Sequence, residues 1–448
     1  MKKVHSMQRG LYTLLLLVSF DNAWAEQLSL DQAISYALEH SPVLLGTASG
    51  VRASNEQITT ARSGKRPVVE LDYGLIYSDN PLLSFGSKLN NRNVSSEDFA
   101  PDAINDPGFS DNYFADLILK LPLYTGGKVE AGIDEAVANH ASASAQHERT
   151  KSSVIYQAKR AYLMAQAAQE AINIARNSTA AARKHVKTTE QLLADNRTVV
   201  SDTLTAKVYY SSVKAAISQA ETQYAQALNA LKQVIGKDLS ADISISPWPS
   251  SYNPYKPPEV SVAESTALNN RSDLRAQLEI INAAEARTRI ASSAGKPELG
   301  LEARSSLYAD DPLVDEISWG VLAVAKVNLY SGGANKSRVS AAREETNKLL
   351  AEKTGKELEI RKQVRDAFAS INEGKERLKL ARSNLDDAER AVALVNDRYG
   401  EGRTILIDLL QSEQALMKSR SESLNSRLLL EASKLELQLA MDSFDEVK

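Results

Sequence analysis

The chain of 448 residues contains no cysteine, so no disulfide frames it and no acylated cysteine can tether it to a lipid surface. Its longest apolar run, residues 11–20, is about half of the ~20 residues that a spanning helix needs. A membrane anchor there is accordingly a poor fit. Lys2, Lys3 and Arg9 precede that run, and Ala23-Trp24-Ala25 places small residues at −3 and −1 of a cleavage site. Residues 1–25 therefore read as a signal peptide of an exported protein whose mature form begins at Glu26. Losing Lys2, Lys3, Arg9 and Asp21 takes the formal net charge from −4 to −6, which leaves no basic stripe for nucleic acid.

Proline is missing where it matters most. All 13 prolines lie outside residues 128–236 and 313–448. Proline interrupts helix interiors, so both stretches can hold very long helices. A helix from Lys128 to about Asp195 would be near ~100 Å long at 1.5 Å per residue. In the second stretch Leu378, Ala381, Leu385, Ala388, Val392, Val395 and Tyr399 step by three and four, and Ile172, Ala175, Thr179, Ala182, Val186, Thr189 and Leu193 do so in the first. This is a coiled-coil seam whose small residues permit close helix approach. Asp195-Asn196-Arg197-Thr198 and Gly400-Glu401-Gly402-Arg403-Thr404 break it, the glycines and Asn tolerating positive φ and Thr198 and Thr404 able to cap a returning helix.

These two stretches are copies. Leu123-Tyr124-Thr125-Gly126-Gly127 recurs as Leu329-Tyr330-Ser331-Gly332-Gly333, 206 residues on, and the same offset carries Arg197-Thr198 and Asp202 onto Arg403-Thr404 and Asp408. Upstream the offset is 230, with Ala37-Leu38 on Ala267-Leu268 and Pro67 on Pro297, so the first copy carries 24 extra residues between its Pro and its Gly-Gly. Repetition on this scale means one architecture built from two equivalent halves.

Between each Pro and each Gly-Gly the period changes to two. Val69, Leu71, Tyr73, Leu75 and Tyr77 alternate with Glu70, Asp72, Gly74 and Ser78, Ile76 being an exception, and Tyr113, Ala115, Leu117, Leu119, Leu121 and Leu123 alternate with Asn112, Asp116 and Lys120. Leu299, Leu301 and Ala303 then stand against Glu298, Glu302 and Arg304, and Ile317, Trp319, Val321, Ala323, Ala325, Val327 and Leu329 against a mostly smaller and more polar face with Lys326 and Asn328. Such strands fit a transmembrane barrel with lipid outside and water inside. A half-buried soluble sheet alternates in the same way. The export signal and the lack of a second apolar layer favour the barrel. Four strands leave edges whose unpaired backbone is costly in lipid, so the protomer must oligomerise, and three chains would supply 12 strands around an aqueous lumen. Pro67 and Pro297 end an incoming helix and start a strand; Gly126-Gly127 and Gly332-Gly333 turn the outgoing strand back into a helix. Gly126-Gly127-Lys128 lacks the upstream Gly and the following Ser or Thr of a phosphate loop.

The expected fold class is an internally duplicated α+β membrane protein. Its segments are a signal peptide at 1–25 and a first repeat at 26–236, with strands about 68–78 and 112–124 and a helical hairpin at 128–236. A Pro-rich linker follows at 237–262. The second repeat, 263–448, has strands about 298–308 and 316–330 and a helical hairpin at 334–442. Residues 79–111 hold the extra length and have the Pro, Asn, Ser and Asp content of an extracellular loop.

With the duplicated design, "HSPVLL" and "RSDLRA" near the start of each half, "LPLYTGGK" and "VNLYSGGA", and the "GRTILIDLLQSEQAL" turn, the chain resembles the TolC-like outer membrane efflux protein family. The resemblance implies a homotrimer with a 12-stranded barrel in outer membrane lipid, continued by an α-helical tunnel through the periplasm. It also implies docking onto a periplasmic adaptor protein and an inner membrane pump or ABC transporter, for efflux or type I secretion. The linker corresponds to the family's equatorial belt. The resemblance also implies a periplasmic gate at the helical tip, with Asp202 and Asp408 as a constriction, Tyr399 and Arg403 as latch candidates, and Arg197 and Gln411 as further gate candidates. Arg403 precedes Thr404 where the family places its Arg one position later, and Gln411 stands where a second acid would be. Asp202 and Asp408 also suit a plain helix N-terminus.

No cofactor, metal or catalytic site is expected. His40, His140, His147 and His185 are scattered, and His140 and His147 lie about 10 Å apart along a helix, too far for one metal. A periplasmic adaptor or a structural coiled coil would account for a helical hairpin, but the former should show one hairpin between soluble β-domains and the latter needs no alternating strands.

Overall fold

The structure, a computed structural model, describes residues 26–249, 257–309 and 316–444; the expected signal peptide and the middle of the linker lie outside the described residues. In chain order the first half comprises β1 (Glu26–Leu28), α1 (Leu30–His40), α2 (Pro42–Ser63), β2 (Val68–Ser78), α3 (Pro81–Asn90), a 3-10 turn at Ser96–Phe99, α4 (Pro101–Asn105), β3 (Ser110–Tyr124), α5 (Lys128–Ala194) and α6 (Val200–Ile235). After β4 (Ile243–Ile245) the second half gives α7 (Val260–Asn270), α8 (Ser272–Ser293), β5 (Glu298–Ala309), β6 (Glu316–Lys326), α9 (Ala334–Gly400) and α10 (Leu406–Met441). The helices α5 and α9 have 67 residues each and α6 and α10 have 36 each, so the repeat is reproduced residue for residue.

The punctuation works through backbone geometry. Gly126 and Gly127 have φ of 64° and 85°, and Gly332 and Gly333 have 61° and 86°. These left-handed conformations are cheap only for glycine, and they swing each strand into its helix. At the far ends Asn196 and Gly402 occupy equivalent positions with φ of 51° and 74° and reverse the chain into α6 and α10. Thr198 and Thr404 do not cap those helices. Val199 and Ile405 hold the N-cap positions, and each Thr hydroxyl instead donates to the Asp four residues on.

The buried residues repeat as well. Ala33, Ala37, Ala158, Tyr162, Leu231 and Ile235 pack around α1, α5 and α6, and their counterparts Ala263, Ala267, Val364, Phe368, Leu437 and Met441 pack around α7, α9 and α10. Long helices gain most of their stability from such tertiary packing. The parallel pair β1–β4, which the sequence did not announce, ties the N-terminal strand to the start of the linker.

The four long strands form one antiparallel sheet in the order β2-β3-β5-β6. Its pairings place Val69, Leu119, Ala303 and Val321 in one row and Leu71, Leu117, Ser305 and Trp319 in the next, on a face that the chain leaves open, with Leu71 68% and Trp319 81% exposed. The other face carries Glu70, Asp72, Asp116, Lys120, Glu302 and Arg304, with Lys120 2.6 Å from Glu70 and Arg304 3.4 Å from Asp116.

Two strand limits differ from expectation. The strand β3 starts at Ser110, before Asn112, because Ser78 and Ser110 extend the ladder with β2. The last strand, expected to reach 330, ends at Lys326, because its partner β5 begins at Glu298 and nothing among the described residues pairs with residues 327–330. The extra length of the first half is partly helical, not merely loop. Asn80 caps α3 by accepting the Leu82 and Leu83 N–H groups ahead of Pro81, and Ser84 meets Ser110 Oγ at 2.9 Å.

Candidate functional site

The ends of the two helical hairpins come together in one cluster. Tyr399, Leu406, Leu409 and Leu410 of the second hairpin are buried with Ala206 of the first, flanked by Val186, Leu192, Tyr209 and Val395. This cluster is what positions the polar residues of the tip. In each hairpin the Thr hydroxyl donates to the Asp carboxylate at 2.6 Å, Thr198 to Asp202 and Thr404 to Asp408. Both carboxylates lie in the first turn of a returning helix, where the dipole favours negative charge.

Tyr399 reaches across from the second hairpin toward Asp202 of the first. Burial, and then the Asp202 charge, push its phenol pKa upward. Its hydroxyl is enclosed and has no hydrogen-bond partner among the described residues. Tyr399 thus joins the hairpins through its ring. Arg403 pairs with Glu401 at 3.1 Å and is three-quarters exposed, away from either Asp. Arg197 and Gln411 are exposed at the turn and on α10. The structure therefore brings Asp202 and Tyr399 together, but it leaves Arg197, Arg403 and Gln411 on the surface.

A cross-hairpin contact escaped the sequence reading. His185 on α5 is buried, and its Nε2 lies 2.9 Å from Oε1 of Glu413 on α10. Tyr209 of α6 is close by, its phenol pushed up to about 12 by burial and by the Glu413 charge. The only hint was the heptad position of His185 beside the seam residues Ala182 and Val186. His140 and His147 are spent on hydroxyls of α2, Ser54 at 2.9 Å and Thr47 at 2.7 Å.

At the other end of the helices the junction residues stand where strand becomes helix. Pro67 and Pro297 immediately precede β2 and β5. Gly126 is packed so closely that an added Cβ would lie 2.9 Å from Lys296 Cβ and 3.1 Å from the Ser293 carbonyl. The first half's outgoing junction is thereby seated on the end of α8. Gly127, Gly332 and Gly333 are open by comparison.

Against known proteins, the chain matches the outer membrane efflux protein family over residues 33–237 and 264–442, two segments that coincide with the two repeats. It is 22% identical to outer membrane protein TolC of Vibrio cholerae over 433 residues, covering 94% of this chain and 92% of that protein. It is also 22% identical over 425 residues to the proteases secretion protein PrtF of Dickeya chrysanthemi, covering 93% of this chain and 88% of the relative. Among solved structures, the outer-membrane channel OprN superposes with a TM-score of 0.77 at 18% identity over 93% of this chain and 90% of its own. The outer membrane protein VceC of Vibrio cholerae does so with 0.74 at 19% identity, over 92% and 95%.

Proposed function

The chain belongs to the outer membrane efflux protein family, and from that membership we propose that it is the outer membrane channel of a tripartite efflux or type I secretion system. It is an outer membrane protein that extends into the periplasm. In this reading three copies close a 12-stranded barrel, and six helical hairpins continue it as a tunnel whose tips form the gate. Cargo passes by diffusion, so the chain itself performs no chemistry. A periplasmic adaptor would grip the helices and an inner membrane pump or ABC transporter would supply the energy.

One observation carries this reading. A single sheet has an exposed apolar face, a charged opposite face and two edges unpaired among the described residues, and through the Gly-Gly turns it leads into helices of 67 residues. Such a sheet is unstable alone: in lipid its edges leave backbone groups unpaired, and in water its apolar face stays exposed. Closure between copies removes the edges and turns the charged face toward a water-filled lumen.

Heat-modifiable migration of the detergent-extracted outer membrane fraction tests the assembly, and conductance in planar bilayers tests the pore. A stable oligomer that conducts is expected. A monodisperse monomer in mild detergent, or an oligomer without conductance, would remove the channel reading.

A further inference from the structure

The two helical hairpins of the chain share a backbone but not the side chains with which each meets a neighbour. Inside the chain the junction near the tip is made by His185 of α5 and Tyr209 of α6 against Tyr399 of α9 and Leu406, Leu409 and Glu413 of α10. In a tunnel of six hairpins a second kind of junction lies between copies, where the second hairpin of one meets the first of the next, and the 206-residue offset names its residues. There Tyr399 is replaced by Leu193, Tyr209 by Ala415, Leu406 by Val200, Leu409 by Thr203, His185 by Ala391 and Glu413 by Lys207.

We propose that the two hairpins of one copy move as a single body when the tunnel opens, clasped by His185 and Glu413, and that opening parts the junction between copies. This rests on the channel reading above and adds to it which of the two junctions yields.

Two differences between the junctions support the proposal. The first is apolar burial, which stabilises in proportion to the area withdrawn from water. Tyr399, Leu406, Leu409 and Leu410 are buried inside the chain, whereas Val200 and Leu204, the counterparts of Leu406 and Leu410, are 60% and 57% exposed on its free side. Thr203 is buried, but its hydroxyl donates to the Thr189 carbonyl at 3.5 Å within its own hairpin. The exchanges of Tyr for Ala, Tyr for Leu and Leu for Thr all leave less apolar surface for a neighbouring copy to cover. The second difference is the clasp. His185 and Glu413 meet at 2.9 Å across the two hairpins with both side chains enclosed, so parting them would strip two buried polar groups of each other. Ala391 has no polar group to offer, and Lys207 pairs at 2.8 Å with Glu190 of its own hairpin, where both side chains are about half exposed and the bond contributes little. Separating copies therefore breaks no equivalent of the clasp.

Because the difference lies in side chains on a common backbone, the clasp can be moved from one junction to the other. Ala391→His with Lys207→Glu places it between copies and should lower mean conductance per oligomer in planar bilayers by at least about tenfold, the effect of one buried charge-assisted bond on a two-state equilibrium. His185→Leu with Glu413→Leu removes it from within the chain and should leave conductance within about twofold of the unmodified channel, since a bond kept in both states shifts neither. Heat-modifiable migration checks that each variant assembles. If either does not, Ala391→Gln with Lys207→Glu, or Glu413→Gln alone, replaces it with the same expectation. A larger rise in conductance on removing the native clasp, or a smaller fall on moving it in an assembled oligomer, overturns the proposal and leaves the channel reading standing. An unmodified oligomer that does not conduct overturns both.

Discussion

His185 Nε2 lies 2.9 Å from Glu413 Oε1, and the two side chains are almost wholly enclosed between α5 and α10. Their repeat counterparts, Ala391 and Lys207, cannot make this bond. The two halves share a backbone, but this seam belongs to one junction only, the contact between the first and second hairpins of the same chain.

Breaking that seam from one side should cost more than removing it. Glu413→Ala leaves the imidazole unpaired and should destabilise by ~1–3 kcal/mol, whereas His185→Leu combined with Glu413→Leu should be close to neutral. Thermal unfolding of the detergent-solubilised protein, followed by circular dichroism, measures both. A double variant as damaging as the single one would show that the pair matters for more than mutual satisfaction.

The C-terminal ends of the return helices diverge in an instructive way. Gly236 ends α6 with φ of 74°, and a Cβ there would meet the His40 carbonyl oxygen at 2.5 Å. Gly236→Ala should therefore cost more than the ~1–2 kcal/mol of a left-handed non-glycine residue. The equivalent Asp442 accepts that conformation, with φ of 52°, because its carboxylate takes the Ser272 N–H at 3.1 Å and meets Arg149 at 3.2 Å. Position 272 offers that N–H where its counterpart Pro42 has none. The Arg149 side chain is 12% exposed, and its desolvation together with the Arg271 charge lowers its pKa. Asp442→Gly suits the backbone yet leaves this cation without its carboxylate, and should still destabilise by ~3–5 kcal/mol in the same unfolding measurement. Unchanged stability would mean that relief of backbone strain offsets the lost ion pair.

Much of this was legible from the sequence because the repeat is punctuated by residues with few conformational options. Pro67, Pro297 and the two Gly-Gly pairs mark turns that other residues would make poorly, and proline-free stretches mark the long helices. What escaped was long-range or relational. His185 and Glu413 are 228 positions apart, and neither carries a local sign of the other. The end of β6 depends on where β5 begins. The helix α3 had a local sign, Asn80 before Pro81, hidden in a segment whose overall composition reads as loop. Arg403 stands at a latch position by family resemblance, and within the chain its exposed guanidinium pairs with the nearby Glu401.

Tyr399 should act through its ring. Tyr399→Phe removes a hydroxyl that is buried without a partner, so stability and conductance should hold or improve slightly, whereas Tyr399→Ala should cost ~3–5 kcal/mol. A marked loss in the Phe variant would show that the hydroxyl matters beyond the packing of the ring.

Tyr209 gives the same cluster an alkaline limit. Its pKa is raised from the ordinary 10.0 to about 12, so the folded tip binds that proton more tightly than the unfolded chain does. The contribution is fully present below the unfolded value and is lost as pH rises through the folded one. Melting temperature should therefore fall between pH 10 and about 12 with a component that Tyr209→Phe abolishes. An ultraviolet tyrosinate titration should show one late-ionising phenol fewer in that variant, and an unaltered titration would reassign the shift.

The Asp202 and Asp408 pair separates a cap from a gate. As caps, each carboxylate contributes ~0.3–1 kcal/mol at a helix N-terminus, and Thr404→Val, which removes the hydroxyl that donates to Asp408, should resemble Asp408→Asn in every assay. As a gate, three copies of each Asp converge at the tunnel end, repel one another and attract cations. Asp408→Asn should then reduce cation selectivity in planar bilayers and weaken block by multivalent cations, at unchanged oligomer yield. Thr404→Val keeps the charge and should leave the reversal potential where it was. Equal reversal potentials in wild type and both variants would leave these residues as helix caps, and closure of the channel would then fall to the apolar cluster around Tyr399 and Leu409.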